Sequence, residues 1–596
     1  MSNHQTTLRD LRFNLEQVLG LPALMRECGD ETFDADTAWQ ILEAAGVFAS
    51  DVAAPLRASG DKEGCTYDAN GDVRTPSGFK AAYAKFVEGG WPTLGCAPEY
   101  GGQGLPVTLT NAVWEVLLGA NMAWTSYCSM SLAAYTCLSA TADPQQKAFY
   151  LPRLASGEWA GTMCLTESQA GTDLGLLRTR AIPQPDGSYS ITGTKIFISG
   201  GEQDMAANIV HLVLARLPDA PHGVKGISLF VVPKFLTGPD GVARERNPVV
   251  CGGIEAKLGI NANSTCTMNF NGAKGWLLGE PNKGLAGMFV MMNHARVLVG
   301  VAAVGQMDGA SQKAQAYAAE RFQGRAPVRP EESAHLPADS IVMHPDVQRM
   351  LMTQRAWVEG SRALAMWASS LMDEEHGHPD VTRRRRATQL LSLATPVVKA
   401  FVSDNATESI LMSMQCLGGH GYIRENGLEQ YLRDARIIPL YEGTNGVQAM
   451  DLISRKVVAD GGERLEQLLS EIEAFCAAAR VELSGAFIVD ELALLCSESR
   501  ALTRTVLEAA RRDPRTEGEV ASAFLRVVGH LLLAWMWARM AVAAQKALVA
   551  SDDGFYTAKL DTARFYFRRL LPEAHARCVE IRAVAAANEE RAPTAH

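Results

Sequence analysis

QCLGGHGYIRENGLEQYLRDARIIPLYEGTNGVQ spans Gln415 to Gln448, and the rest of the chain is organised around it. Near its end an apolar run at 437–440 leads into Tyr441 and Glu442, and a glycine comes next. A carboxylate in this position lies between an apolar segment that packs away from water and a glycine whose backbone no side chain covers. Burial disfavours the charged form and raises the pKa of a carboxyl group towards neutrality, which suits a general base. The pattern therefore makes Glu442 a candidate general base.

Two further patterns precede Glu442 in this segment. The GGHG run at 418–421 is a bend at which the backbone can approach a flat or anionic ligand closely. The RDAR run at 433–436 adds charge close by. Taken alone, the GGHG run is typical of a turn, and the RDAR run is typical of a surface ion-pair network. A lone glutamate before a glycine is typical of a solvated helix end. The order and the spacing of the three patterns carry the information.

Read in order, QxxGGxGY, RDxRI and YEGT resemble three motifs of the acyl-CoA dehydrogenase family. The resemblance implies that Glu442 is the catalytic base, that FAD is the cofactor and that an acyl-CoA thioester is the substrate. It also implies a substrate contact at Gly443. The residues that it places on the FAD diphosphate, or against the FAD of a neighbouring subunit, are Thr444, Asn445, Gln415, Gly418 and Gly419.

Length and composition limit the class of protein. The chain has 596 residues, enough for several domains, and its 47% hydrophobic and 20% charged residues are typical of a globular protein with a sizeable core. A formal net charge of −10 argues against a broad nucleic-acid or anionic-membrane surface. The twelve cysteines form no CxxC pair and no zinc-type spacing. We therefore expect a cytoplasmic protein without a metal site. The apolar window Val520–Ala543 is interrupted by charged residues and predicts a buried helix, not a membrane span.

The distribution of helical and β patterns along the sequence predicts four domains. Residues 1–158 have helical patterns, 159–282 are rich in short β runs and turns, 283–456 return to helical periodicity, and 457–596 form an additional helical block. In the first domain, Asp36 is the expected N-cap of one helix and Asp143 that of another. The predicted strands are Ser188–Ile196, Ile209–Leu214, Gly226–Val232 and Thr265–Phe270.

A second motif opens the β-domain. Cys164–Asp173 reads CLTESQAGTD and resembles the family's LTEPxxGSD, with Ser168 in place of proline and Thr172 in place of serine. Hydroxyls, backbone amides and small residues can hold an isoalloxazine ring and a pyrophosphate without many charges. The resemblance implies that Met163, Leu165 and Thr166 line the flavin. It places Thr172 near the phosphates of FAD and CoA.

Further motifs flank the flavin segment and the long helices. Gly193–Gly201 reads GTKIFISGG and resembles GxKxWITNG, which implies stacking by Phe197 and a hydroxyl of Ser199 near flavin N5. Asn293 and Arg296 match the CoA side of the family site, although family members often have an acid where Asn293 stands. The ERFQGR turn resembles ERxxFG with its glycine displaced, and the residues that it offers to the partner's FAD are Arg321 and Gln323.

These matches cover about 75 to 455 in the family's order. The resemblance implies a mainly α fold with an inserted β-domain: a helical N-terminal domain, a β-barrel-like middle domain and a helical bundle. The block after Lys456 resembles the larger branch of the family, whose additional C-terminal helical domain covers a surface used for tetramer formation. We therefore expect a homodimer.

The expected reaction is α,β-dehydrogenation of an acyl-CoA to a trans-2-enoyl-CoA. Glu442 removes the α-proton, the β-hydride passes to flavin N5, and an electron-transferring flavoprotein accepts the electrons. Two alternatives stay open. One is an acyl-CoA oxidase that uses oxygen, and the other is a non-catalytic relative that binds nucleic acid, which predicts a basic C-terminal block.

Overall fold

The computed structural model describes residues 4–329, 331, 335–483 and 487–590. The chain forms two compact units. One consists of the residues up to Ala44 together with those from Arg296 onward, and the other of Ala45–Ala295. This division does not test the predicted domain boundaries near 158, 282 and 456, which stay predictions.

The chain begins with short helices. Their bounds are α1 His4–Arg12, α2 Leu21–Glu27 and α3 Ala35–Phe48, with π-helical turns at Phe13–Val18 and Ala49–Ala53. The predicted N-cap at Asp36 is wrong. The backbone N–H of Thr37 donates to Asp34 Oδ2 at 2.8 Å, so the helix begins before Asp36, which lies in its first turn. Both aspartates fit the sequence pattern, and only the backbone conformation selects Asp34.

Five helices of the second unit precede the sheet. Their bounds are α4 Leu56–Glu63, α5 Phe79–Glu88, α6 Val107–Ala120, α7 Met122–Thr141 and α8 Pro144–Ala155. The predicted cap at Asp143 is confirmed, because its side chain and that of Gln146 form a reciprocal capping box. Helix α6 is buried along almost its whole length, as is most of α7, so these helices form the interior of this unit.

The strands occupy the middle of the chain. Their bounds are β1 Thr66–Tyr67, β2 Val73–Arg74, β3 Trp159–Cys164, β4 Arg180–Pro183, β5 Tyr189–Ser199, β6 Asn208–Ala215, β7 Ser228–Pro233, β8 Phe235–Thr237, β9 Ala243–Arg246, β10 Val249–Ile254 and β11 Thr265–Leu278. The four predicted strands correspond to β5, β6, β7 and β11. Strand β11 is eight residues longer than predicted, because its pairing with β5 continues to Gly275 and its last three residues pair with β7.

The main sheet bends towards closure. Its order is β3-β6-β7-β11-β5-β4, with β10 beside β11, and β3 runs parallel to β6. The end strand β4 returns to β6, since Ala181 N–H donates to Arg216 O at 2.8 Å and Arg216 N–H donates to Thr179 O at 2.9 Å. The predicted barrel-like middle domain is thereby confirmed. Its consequence is that the ends of β3, β4 and β5 lie together.

Long helices build the first unit. Their bounds are α9 Gly284–Glu320, α10 Pro345–Gly377, α11 Val381–Cys416, α12 Leu428–Ala435, α13 Asn445–Met450, α14 Glu463–Glu482, α15 Phe487–Arg512, α16 Arg515–Ala550, α17 Gly554–Arg569 and α18 Pro572–Glu590, with a π-helical segment at Asp451–Val458. Helix α9 begins in the second unit and continues in the first. Helices α14 to α18 form the C-terminal block.

Two of these helices, α9 and α16, are long and apolar enough to cross a membrane by length and composition alone. In α16, 89% of the apolar window is buried inside the protein, and in α9 the share is 71%. The core helix of a soluble protein satisfies the same test. The prediction of a buried helix at 520–543 is therefore confirmed.

A buried charge network joins the N-terminal helix to the C-terminal block. Arg362 donates to Asp10 at 2.6 Å and to Asp308 at 2.7 Å, and Lys559 pairs with Asp10 and with Glu359. Lysine and aspartate are seldom fully buried unless they are paired, and here each has a partner. The network fastens α1 to α9, α10 and α17.

Candidate active site

Glu442 lies in a tight turn between α12 and α13. Its φ is +56° and that of Gly443 is +84°, and both residues are in the left-handed region. This conformation is rare for a residue with a side chain and is found mostly where the surrounding structure imposes it, often at functional sites. The turn is closed by a bond from Asn445 N–H to Pro439 O at 3.1 Å. Gln448 also donates to the Glu442 carbonyl at 3.1 Å.

The environment of the Glu442 carboxyl group combines burial with two cations. Burial raises its pKa, while the positive charges of Arg296 and Lys399 act in the opposite direction, and the net shift is upward. The side chain is partly buried. A carboxylate with a raised pKa is a stronger base than a solvated glutamate, and the role of Glu442 as general base stays a prediction.

Arg296, in α9, lies close enough to Glu442 for the two charges to interact. Its Nε is buried and has no hydrogen-bond acceptor among the residues that the structure describes. Burial lowers the pKa of Arg296, while Asp451 and Glu442 favour its charged form. The predicted substrate contact thus lies in the charge environment of the candidate base. Asn293, nearly one turn earlier, is exposed.

Lys399 is the second cation, and the sequence analysis missed it. It lies fully buried in α11, and its Nζ donates to Gly443 O at 2.8 Å and to Asn445 Oδ1 at 2.9 Å. Burial lowers the pKa of Lys399 to about 8, although Glu442 and Asp404 favour its charged form. The signal available in the sequence was a single lysine within the apolar run TPVVKAFV at 395–402.

The predicted contacts at Gly443 and Asn445 are engaged with α11. The Asn445 amide donates to Asp404 Oδ1 at 2.7 Å and to Ser403 Oγ at 3.0 Å. Thr444 is exposed and caps α13 through its side chain. The assignment of Thr444 and Asn445 to the FAD diphosphate stays a prediction.

The second motif is held by a buried ion pair. Lys195 Nζ donates to Glu167 Oε1 and to Leu165 O, both at 2.9 Å. The Glu167 carboxylate also accepts from the backbone N–H groups of Arg178 and Thr179 at 2.7 and 3.0 Å. This pair, which the sequence analysis did not single out, joins the LTES segment to β5.

The backbone then brings the predicted flavin residues together. Ile196 N–H donates to Thr166 O at 2.9 Å, so that Thr166 lies beside Phe197. Phe197 has a φ of +60° and its side chain is 60% exposed, which is unusual for an aromatic residue within a strand. Three other predicted contacts, Met163, Leu165 and Ser199, are partly buried, and Thr172 is exposed.

The residues predicted to meet a partner's FAD lie on exposed turns of the first unit. Arg321 directly follows α9, and its guanidinium donates to Gln323 Oε1 at 3.3 Å. Tyr317, in the last turn of α9, hydrogen-bonds His420 Nδ1 at 2.7 Å and so joins this turn to the glycine bend. The exposed members of the set are Arg321, Gln323, Gln415, Gly418 and Gly419.

A cavity of about 710 Å³ lies beside the second motif. Its wall includes Arg178 and Arg180, which are exposed and have no ion pair in the described parts of the chain, and His222. Arg216, also in the wall, is saturated by backbone carbonyls, including that of Gly175 at 2.6 Å. No sequence pattern indicates this cavity, because β4 and the loop after β6 meet only in the folded sheet.

The described residues contain no group of three or more His, Cys, Asp or Glu side chains that could hold a metal ion. The twelve cysteines are all free.

Four family models match successive segments of the chain. They are described as the acyl-CoA dehydrogenase N-terminal domain at residues 35–158, the middle domain at 162–273, the C-terminal domain at 282–457, and an acetyl-CoA dehydrogenase C-terminal-like domain at 468–589. The predicted fold class, including the additional C-terminal helical domain, is confirmed by these matches.

Relatives match almost the whole chain. A 3-methylmercaptopropionyl-CoA dehydrogenase from Ruegeria pomeroyi is 41% identical over 580 residues, which are 96% of this chain and 97% of the relative. A broad-specificity linear acyl-CoA dehydrogenase from Mycobacterium tuberculosis is 35% identical over 598 residues, 96% of each chain. A crystal structure of an acyl-CoA dehydrogenase complexed with FAD from Bacillus anthracis has a TM-score of 0.74 at 19% identity and covers 95% of this chain and 93% of its own. The family matches and the relatives together establish that this chain belongs to the acyl-CoA dehydrogenase family of FAD-dependent oxidoreductases.

Proposed function

We propose that this chain oxidises the α,β-bond of an acyl-CoA thioester to a trans-2-enoyl-CoA, with Glu442 as the general base. The observation that carries the proposal is the placement of Glu442. It is a partly buried carboxylate in a left-handed turn, its pKa is raised by burial, and Arg296 and Lys399 face it. This is the arrangement that proton abstraction next to a carbonyl group requires.

The chain's own groups supply the base and one hydrogen-bond donor. Glu442 accepts the α-proton, and negative charge develops on the thioester oxygen. The backbone N–H of Glu442 donates to no acceptor among the described residues, so we assign it to that oxygen. When bound, FAD supplies the acceptor for the β-hydrogen, which leaves as a hydride.

The residues of the second motif and of the GTKIFISGG segment fit a flavin. The exposed Phe197 ring offers a flat apolar face, and Thr166 lies next to it with a hydroxyl group. A stacked ring would cover apolar surface that is otherwise open to water. We assign Met163, Leu165, Thr166, Phe197 and Ser199 to the isoalloxazine ring.

The arginine-lined cavity fits the phosphates of CoA. Arg178 and Arg180 have planar guanidinium groups, whose geometry suits phosphate. The cavity begins at Gly175, three residues after Thr172. We assign Thr172, Arg178 and Arg180 to the CoA nucleotide. The thioester end is assigned to Arg296, Asn293 and Gly443.

We propose a homodimer in which a partner completes the FAD site. Phe322 and Tyr422 lie beside the predicted contacts and are 51% and 84% exposed. Aromatic side chains are enriched at subunit interfaces. An electron-transferring flavoprotein as electron acceptor and a cytoplasmic location complete the proposal. The first derives from the family resemblance, and the second from the cysteine usage of the sequence.

The C-terminal block gives little support to the nucleic-acid alternative. Many of its arginines pair with carboxylates, which reduces the positive field that a phosphate backbone needs. The ion pairs within the block include Arg480–Asp490, Arg500–Glu473, Arg526–Glu573 and Arg577–Glu580.

The test is anaerobic mixing of the FAD-loaded protein with a panel of acyl-CoAs, with flavin absorbance as the readout. The names of the relatives suggest 3-methylmercaptopropionyl-CoA, butyryl-CoA and longer linear acyl-CoAs for the panel. We expect rapid bleaching with at least one, and weaker binding of the matching acyl-pantetheine because it lacks the nucleotide. No bleaching with any thioester would contradict the proposal. Reduced flavin that persists in air would support a dehydrogenase, and rapid reoxidation by oxygen would favour the oxidase.

We expect the rate constant for flavin reduction to fall as the pH is lowered, because only ionised Glu442 can accept the proton. Burial raises the pKa of Glu442, so the midpoint should lie above the ordinary glutamate value of about 4.3. The charged groups that face it are Arg296 and Lys399, and both favour the ionised form. The measurement is anaerobic stopped-flow at saturating acyl-CoA from about pH 4 to about pH 9. A rate constant independent of pH over this range would contradict the assignment.

A further inference from the structure

We propose that the C-terminal helical block positions the catalytic turn: Arg526 fixes α11 from one side, and Lys399, on the other side of the same helix, holds the turn that carries Glu442. The inference rests on the proposed role of Glu442. Arg526 and Lys399 are positioning residues in this proposal, since neither is assigned a contact with the reacting atoms.

One face of α11 binds the catalytic turn. Lys399 Nζ bonds Gly443 O and Asn445 Oδ1 at 2.8 and 2.9 Å. The Asn445 amide in turn bonds Ser403 and Asp404, one turn further along the helix, at 3.0 and 2.7 Å. These bonds, within two helical turns, fasten the residues that follow Glu442 in the turn. A left-handed glutamate is strained, and such bonds are what hold it.

The other face of α11 binds the C-terminal block. Arg526, on α16, donates to Asn405 Oδ1 at 2.7 Å, and its guanidinium lies 4.6 Å from the centre of the Phe401 ring. Phe401 and Asn405 are four residues apart, so they share a face of the helix, and that face is turned away from Lys399 and Ser403.

Arg526 is itself rigidly held. Its guanidinium forms two bonds with the Glu573 carboxylate on α18, at 2.8 and 2.6 Å, and its side chain is 15% exposed. His530 Nε2 lies 3.1 Å from the same carboxylate. At Gly529 a Cβ atom would lie 2.3 Å from the Phe401 ring, so α16 and α11 pack at closest approach. A bidentate arginine pair of this kind fixes direction as well as distance.

These contacts explain why a block without chemistry of its own affects the reaction. Helix α11 carries bonds to the turn on one face and bonds to α16 on the other. If Arg526 is removed, Asn405 loses its bond to the C-terminal block, and α11 loses one of the contacts that fix its position. A displacement of about 1 Å at a reacting group can cost roughly 100-fold in rate.

The experiment compares Arg526→Gln with Arg500→Gln in the full-length, FAD-loaded protein. Arg500 is a matched control because it also forms bidentate pairs within the C-terminal block, with Glu466 and Glu473, and none of these bonds reaches α11. The readouts are the rate constant for flavin reduction at saturating acyl-CoA, the Kd for that acyl-CoA, FAD content, and hydrogen exchange of residues 437–447 by mass spectrometry.

For Arg526→Gln we expect the rate constant to fall about 10- to 100-fold. We expect FAD content and Kd to change little and exchange at 437–447 to increase. Arg500→Gln should behave like the wild type. The conservative Arg526→Lys should restore part of the rate, since it keeps the charge but loses the fork. Wild-type rate and exchange in Arg526→Gln, or an equal loss in Arg500→Gln, would overturn the inference.

Lys399 is tested by its pH profile. Lys399→Met removes a charge that favours ionised Glu442, so the midpoint of flavin reduction should move to higher pH and exchange at 437–447 should rise. Lys399→Gln keeps a donor for Gly443 O, so the midpoint should move in the same way while exchange rises less. An unchanged midpoint and unchanged hydrogen exchange in Lys399→Met would overturn the proposed role of Lys399. If the wild type is not reduced by any acyl-CoA, the proposed function fails, whereas the exchange data still test the contact chain.

Discussion

Replacement of Glu442 by glutamine is expected to lower the rate constant for flavin reduction by acyl-CoA about 10²- to 10⁴-fold, the range that a general base contributes. Glutamine has nearly the same shape but cannot accept the α-proton. The turn should persist, because the bond from Gln448 and those that join its neighbours to α11 involve other atoms. FAD content should therefore stay at the wild-type level. The measurement is anaerobic stopped-flow at saturating acyl-CoA.

The control is Glu425→Gln. Glu425 is an exposed carboxylate in the turn before α12 and has no assigned role, so its replacement should leave the rate constant unchanged. Bleaching that survives at the wild-type rate in Glu442→Gln would show that another group removes the proton. Loss of FAD in Glu442→Gln would show that this variant reports on binding rather than on chemistry.

The sequence contained enough information to predict the fold class. The motifs occur in the family's order, and the β runs at 188–196, 209–214, 226–232 and 265–270 all became strands of one sheet. Local patterns of this kind depend on residues close together in the chain. The ends of elements depend on distant partners, which is why the second half of β11 was missed.

The candidate site was only partly predictable, for the same reason. Glu442, Arg296 and Phe197 could be identified from motifs. Lys399 could not be identified, because a lysine in an apolar helical run gives no indication of which carbonyl its Nζ will reach. Arg526 was read only as an interruption of an apolar window, and its bond to Asn405 joins residues 121 positions apart. Such contacts are set by packing and not by local pattern.

Lys195→Met is expected to destabilise the β-domain by about 3–5 kcal/mol, the usual cost of removing one partner from a buried ion pair. Lys195 is fully buried and Glu167 nearly so, and their atoms are 2.9 Å apart. Burial opposes ionisation of Glu167, yet Lys195 and the surrounding hydrogen bonds lower its pKa to about 2. Without Lys195 a charged carboxylate would lie buried beside Thr166. The measurements are the free energy of unfolding in denaturant and the FAD content, and both should fall.

The matched control is Lys274→Met on β11. Lys274 pairs with Asp186 at 2.6 Å, but the two side chains are 40% and 53% exposed, so this loss should cost much less than the loss of Lys195. The double variant Lys195→Met with Glu167→Gln should recover part of the stability, because the neutral amide leaves no buried charge and its one oxygen keeps an acceptor for either Arg178 N–H or Thr179 N–H. If Lys195→Met cost no more than Lys274→Met, the pair would not hold the motif. Recovery of stability without recovery of FAD content would show instead that the exact path of the segment around Thr166, and not the stability of the sheet, determines flavin binding.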